Sequence, residues 1–223
     1  MERHMEDDLL LAIESHIRTL VNRFKGRACN FFTESDIHSY LYLVFYRDKR
    51  FSKEYPTADP SVRTILIHRE YPTFFRFKKR LPVKPALQPA KRGHHDLVVL
   101  NPSFLADHPL TTATNQDISA IPRRPRQKPL LAAVEFKMPR SRIGSGTLEE
   151  IEIDFQKLQL SLEWSQRLYM LIFNRHVRMA PELWPELERM ASENPDVRAL
   201  YMENVGEGKA RAYQVQYLGR WRP

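Results

Sequence analysis

The sequence predicts an α/β protein in which a mixed central sheet is flanked by helices. Three observations lead there. Short apolar runs at His95–Leu100 (HDLVVL), Leu130–Lys137 (LLAAVEFK) and Leu168–Phe173 (LYMLIF) are bounded by turn formers or prolines and read as buried strands. Leu9, Ile13, Ile17, Leu20 and Phe24, and again Leu148, Ile151, Phe155, Leu158 and Leu162, recur at helical spacing. The two kinds of segment are interleaved along the chain, the order that builds a sheet with helices on its faces. The 223 residues suit a single domain. Residues 1–30 read as an N-terminal helical extension, 102–129 as a loop inserted between two core strands, and 180–223 as a C-terminal helix and two strands.

The chain is organised around Leu130–Lys137. Side chains alternate along a strand, so Glu135 and Lys137 share one face, roughly 6–7 Å apart, and Val134 and Phe136 share the other. Buried charge is unfavourable unless it is paired or bound to a metal. A carboxylate and an ammonium at the end of an apolar strand therefore mark either a strand leaving the core or a site.

Taken in order, Glu6 to Lys25 predicts an amphipathic helix. Thr33, three residues before Asp36, starts a second helix with a capping-box spacing, its apolar face made by Ile37, Tyr40, Leu41, Val44 and Phe45. Glu34 lies in its first turn, where the helix dipole favours a carboxylate. Asp48–Pro60 is polar and reads as a loop. Val62–Phe77 is β-branched and aromatic and reads as a strand or hairpin, with Pro72 marking an edge or bend. Leu81–Lys91, with three prolines, reads as an irregular basic connection, and Asn101-Pro102 ends the next strand. Pro102–Pro129 shows little periodicity and is expected to be an exposed insertion. Ser141–Thr147 is glycine-containing and reads as a loop. Pro181–Ser192 predicts a helix, and Val197–Met202 and Ala210–Leu218 two strands.

Composition narrows the class. The 42% hydrophobic and 28% charged residues are those of a globular chain, which excludes a disordered one. No apolar run is long enough to span a membrane, and the acidic start (Glu2, Glu6, Asp7, Asp8) is the opposite of a signal peptide. The single cysteine, Cys29, excludes an internal disulfide and a multi-cysteine zinc site. These features predict a cytoplasmic protein without a membrane partner. The formal net charge of +8 is concentrated in Arg76–Arg92 and Arg123–Arg142, which flank the central strand, while Glu182–Glu207 is acid-rich. Such basic stretches attract phosphate and make nucleic acid a natural partner. The candidate phosphate-binding residues are Lys78, Lys79, Arg80, Arg123, Arg124, Arg126, Lys128, Arg140 and Arg142. Tyr71, Phe74, Phe75 and Phe77 lie among basic residues and read either as base-stacking rings or as alternating core, with core favoured.

Asp96 and Glu135 come from consecutive apolar runs, so pairing of those runs would bring both carboxylates to one end of the sheet. Two carboxylates with water and phosphate oxygens are the hard-oxygen set that Mg²⁺ takes. A transition-metal reading of His94 and His95 is weaker: by alternation only His94 shares a face with Asp96. Ser141–Gly146 lacks the lysine of a nucleoside-triphosphate loop.

Asp96 followed by Glu135-Phe136-Lys137 resembles the signature of the PD-(D/E)xK nuclease superfamily, an Asp entering one strand and a (D/E)-x-K in the next. The resemblance covers about Thr33 to Asn174, and the helix containing Asp154 and Lys157 is similar to helices that follow the signature in several members. It implies a restriction-endonuclease-like fold and a Mg²⁺- or Mn²⁺-dependent deoxyribonuclease. By position, Asp96, Glu135 and the Phe136 carbonyl are the expected metal ligands, Lys137 the residue that positions water, and Glu34 an accessory acid; DNA, or else RNA, is the expected partner, and a homodimer is compatible. Two features depart from the pattern. His95, not Pro, precedes Asp96, and Asp96 and Glu135 are 39 positions apart, which requires 102–129 to loop out. Two other classes remain: a non-catalytic nucleic-acid-binding or regulatory protein that keeps the fold, and a partner-binding module that uses the acidic C-terminal segment.

Overall fold

The structure, a computed structural model, describes residues 2–77, 91–110, 127–139, 143–176, 179–206, 212–219 and 221. Its centre is a mixed six-stranded sheet of β3 (Ile67–Phe77), β4 (Lys91–Leu100), β5 (Leu130–Lys137), β6 (Ser165–Asn174), β7 (Val197–Asn204) and β8 (Tyr213–Leu218), in spatial order β3-β4-β5-β6-β7-β8. The pairs β5/β6 and β6/β7 are parallel and the others antiparallel. A separate two-stranded piece joins β1 (Tyr55–Pro56) to β2 (Arg63–Thr64). Parallel neighbours need a crossover. Helix α5 (Ser145–Leu160) supplies it between β5 and β6, and α6 (Trp184–Glu193), preceded by a 3₁₀ turn at Pro181–Leu183, supplies it between β6 and β7.

Helices α1 (Glu2–Arg27) and α2 (Glu34–Arg47) cover one face of the sheet; α5 and α6 cover the other. The α1 stripe Leu9, Ile13, Ile17, Leu20 and Phe24 is buried, and Leu130–Val134 of β5 is fully buried between the layers. With both faces covered, β5 reads as a continuous apolar run instead of an alternating one. Pro72 lies in β3, the edge strand, where a missing N–H is tolerated. The start of α2 is fixed as its spacing predicts: the Asp36 carboxylate accepts hydrogen bonds from the N–H groups of Phe32 and Thr33, both at 2.8 Å, and from the Thr33 hydroxyl.

Two segments read as loops are helical where described. Lys49–Ser52 forms α3, with Asp48 as the cap accepting from the Arg50 N–H at 2.9 Å and Phe51 buried below. Pro102–Asp107, inside the expected insertion, forms α4; Asn101 accepts from the Ser103 N–H at 3.0 Å and Pro102 stands in the first turn, where its missing N–H is no loss. Phe104 and Leu105 are fully buried, so the first part of 102–129 is core. Residues 111–126 of that stretch lie outside the described residues, as does the connection 78–90. Among the described residues no helix is long and apolar enough to cross a membrane.

Candidate functional site

The β4–β5 ladder pairs Leu97 with Val134, and the next residues outward on the two strands are Asp96 and Glu135. Both carboxylates therefore leave adjacent strands at the point where the pairing ends. Asp96 Oδ2 accepts the Phe136 backbone N–H at 2.7 Å, so the side chain of one strand holds the backbone of the other. On the α2 side, Glu34 Oε2 accepts the Met138 N–H at 3.0 Å, which ties the first turn of α2 to the end of β5. The sequence offered Asp96, Glu135 and Lys137 as candidates by their strand positions and Glu34 through the family resemblance, and all four lie around the C-terminal end of β5.

Strand alternation puts Glu135 and Lys137 on the α5 face, and α5 answers with a polar column. Lys157 Nζ lies 2.5 Å from Glu135 Oε2, 3.3 Å from Asp154 Oδ1 and 3.0 Å from the His94 carbonyl. Lys137 Nζ lies 3.4 Å from both Glu150 and Asp154. The other Glu135 oxygen, Oε1, is 2.7 Å from His95 Nδ1, and His95 Nε2 is 2.9 Å from the Ser161 hydroxyl, which itself reaches the Lys157 carbonyl at 3.0 Å. With Glu135 ionised, Nδ1–H donates to it and Nε2 accepts from Ser161. With Glu135 protonated, its O–H donates to Nδ1, Nε2–H donates to Ser161, and Ser161 donates to the Lys157 carbonyl. The relay satisfies the buried imidazole in either state. A second imidazole backs the site from α2: His38 Nδ1 accepts from Arg69 at 3.2 Å, which leaves Nε2–H to donate to the Asp96 carbonyl.

The sequence singled out His94 by alternation, but it is exposed, and His95, 1% exposed, reaches Glu135. The regular pattern breaks here. The ladder to β5 stops at Leu97, and Glu70, beside this stretch on β3, has φ 48°, the one positive φ of a non-glycine residue among those described.

Electrostatics follow from burial. Glu135, 1% exposed, is pushed well above the usual carboxylate range by burial and by the Asp96 carboxylate, with Lys157 pulling the other way. Burial pushes Asp96 up to about 6 against the Phe136 N–H and Lys157. Burial also raises Glu34, opposed by Lys137 and the Met138 N–H. Burial lowers His95 to about 3, with Lys157 and His94 adding to it, so the ring is neutral. Burial works against the charge on both lysines, yet the carboxylates win: Glu135 and Asp154 raise Lys157, and Asp154, Glu34 and Glu150 raise Lys137. Five interacting carboxyl groups (Glu34, Asp96, Glu135, Glu150, Asp154) thus surround two ammoniums.

A cleft of about 790 Å³ opens beside this cluster, lined by Thr33, Glu34, Ser35, Lys137, Met138, Pro139, Thr147 and Glu150. Glu34 and Lys137 face it directly, whereas Glu135 is sealed behind Lys157 and His95. The donor set fits a hard dication in kind, since its groups are carboxyl oxygens. Among the described residues, however, no three His, Cys, Asp or Glu side chains converge as a ready-made cage, and Lys157 occupies the Glu135 oxygen that a cation would take.

The phosphate-binding expectations divide. Lys128 lies at the end of β5 opposite the site, where its ammonium donates to the carbonyls of Leu162 at 2.7 Å and Ser165 at 3.0 Å. Arg123, Arg124, Arg126, Arg140, Arg142, Lys78, Lys79 and Arg80 lie outside the described residues. Tyr71 and Phe74 are buried core residues. Sequence reasoning missed His95, Ser161 and His38 and gave Lys157 no role. A signal for two of them was present: Asp154, Lys157 and Ser161 recur at three- and four-residue spacing beside the apolar stripe of α5.

Comparison with protein-family models, curated proteins and solved structures finds no match.

Proposed function

We propose that the protein is a metal-dependent nuclease that hydrolyses phosphodiester bonds of DNA through a PD-(D/E)xK-type site, its α/β fold being of the restriction-endonuclease-like kind. The observation that carries this reading is the gathering of carboxyl groups at the end of β5: Asp96 and Glu135 leave adjacent strands, and Glu34, Glu150 and Asp154 join them around Lys137 and Lys157. Asp96, Glu135 and the Phe136 carbonyl are the residues that would hold Mg²⁺ or Mn²⁺. A dication held there would supply charge stabilisation to a phosphate and would make water more acidic.

The chain's own residues do the rest. The Phe136 N–H fixes Asp96, while His95 and Lys157 fix Glu135. Lys137 lines the cleft, where its ammonium is placed to hold a phosphate oxygen and orient an attacking water. Glu34 lines the same cleft and accepts a hydrogen bond or a proton from that water. Water is the nucleophile, and no covalent intermediate forms. The basic stretches around Arg80, Arg123 and Arg140 would contact the strand backbone.

A second reading, a non-catalytic nucleic-acid-binding protein with this fold, draws on one observation: both Glu135 oxygens already have partners in His95 and Lys157, so the cluster is satisfied as an ion-pair network. Incubation of plasmid and single-stranded DNA with Mg²⁺ separates the two. Cleavage that a chelator stops is the expected result; salt-sensitive binding without cleavage supports the second reading.

A further inference from the structure

Phe32 is 68% exposed in the turn just before α2, which leaves a large apolar ring facing solvent. It is not loose: its N–H is held by Asp36 at 2.8 Å, and its neighbour Phe31 is buried against Phe24 and Tyr40. The Arg175 guanidinium lies 5.7 Å from the centre of the Phe32 ring and is fixed by donating to the Phe31 carbonyl at 3.0 Å. Ring and guanidinium form the wall of a pocket of about 320 Å³, completed by Cys29 and His176, which falls within the range of roughly 300–1,000 Å³ that small-ligand pockets occupy. The next residues, Thr33 and Glu34, line the cleft of the proposed hydrolytic site. One short turn of backbone thus connects an aromatic–cationic surface to the acids.

We infer that Phe32 and Arg175 form a stacking platform for an unpaired nucleobase of the strand whose backbone enters the cleft. The chemistry is specific in kind. A base offers a flat π-face to the ring and to the guanidinium plane, and its attached phosphate carries the negative charge that a basic pocket attracts. Neither contact reads base identity, so the platform favours single-stranded or frayed nucleic acid over an intact duplex, whose bases stack on one another. The inference deepens the nuclease reading and rests on it for the identity of the strand.

The test uses the full chain in chelator, so that no strand is cleaved, and single-stranded DNA oligonucleotides carrying 2-aminopurine at successive positions. Its fluorescence falls when the base stacks. Wild-type protein is expected to quench one position, and Phe32→Ala, shown to be folded by its thermal melt, is expected to lose the quench and bind on the order of tenfold more weakly. Phe32→Trp restores both, and a strand abasic at that position binds wild type and Phe32→Ala alike. Equal affinity and an unchanged quench in Phe32→Ala overturn the platform while leaving hydrolysis to its own assay, and so does the absence of a quench at every position. Quenching that depends on Phe32 in a protein that cleaves nothing in Mg²⁺ supports the platform and sinks the hydrolytic reading.

Discussion

Lys157 Nζ lies 2.5 Å from Glu135 Oε2, so the positive charge that balances the buried acid of the Glu-x-Lys strand comes from helix α5 and not from Lys137 on the same strand. Lys137, two residues on, points to Glu150 and Asp154 instead. The two lysines therefore have different work. Lys157 holds the buried carboxylate; Lys137 faces the open cleft.

Substituting each lysine separates these roles. Lys157→Met leaves a fully buried carboxylate without its counter-ion, and breaking a buried pair in this way costs about 3–5 kcal/mol of stability. Lys137→Met removes two longer contacts, one of them to the exposed Glu150, and is expected to cost less stability than Lys157→Met. On cleavage, Lys137→Met should slow turnover strongly while leaving metal binding nearly intact. Denaturant melts and single-turnover kinetics on both variants check this. A Lys157→Met protein as stable as wild type would remove Lys157 from its assigned place.

The pH dependence follows from Asp96. Its carboxyl ionises at about 6 in the folded protein against 3.8 for an ordinary aspartate, so the folded state keeps the proton longer than the unfolded chain does. The stability this contributes is complete below about 3.8 and is lost as pH rises through about 6. Asp96→Asn removes the dependence, so its stability relative to wild type should rise between pH 4 and pH 7. Cleavage needs the ionised carboxylate and should increase through the same window in the wild type. Melts from pH 4 to pH 8 show whether the variant's advantage grows; a flat difference contradicts the assignment.

A bound dication should act as a ligand of the folded state. At one hundred times its Kd, Mg²⁺ is expected to stabilise the protein by about 2.7 kcal/mol, read as a rise in Tm, and Asp96→Asn should abolish the rise. A Tm that responds equally in wild type and Asp96→Asn would place any metal elsewhere.

Much of the fold was legible because β4, β5 and β6 are covered on both faces, so their sequences are nearly unbroken apolar runs, and because the α1 and α5 stripes keep helical spacing over several turns. Three of the four residues at the end of β5 were legible for a related reason: Asp96 opens one such run, Glu135 and Lys137 close the next, and the runs pair, whereas Glu34 was reached only through the family resemblance. The rest depended on contacts that no local pattern encodes. His95 meets Glu135 beyond the point where the β4–β5 ladder stops at Leu97, and His38 reaches the Asp96 carbonyl across 58 positions of sequence. Asn101-Pro102 looked like a strand terminator; it is a strand terminator and a helix start at once, which hid α4.

That last difference is open to measurement. Phe104 is fully buried, so Phe104→Ala should cost about 3–5 kcal/mol, the range for a truncated core aromatic. An exposed insertion would tolerate the change. A melting shift of less than about 1 kcal/mol would return residues 102–107 to the loop class.

Single-turnover cleavage of DNA at saturating Mg²⁺, comparing wild type with Glu135→Gln and Asp96→Asn, each verified as folded by its melt, decides whether the acids at the end of β5 hydrolyse DNA. Cleavage by wild type that chelator abolishes and no cleavage by either variant is the expected result, with DNA binding kept. Full activity in both variants, or a wild type that neither binds metal nor cleaves any DNA or RNA offered, would contradict it.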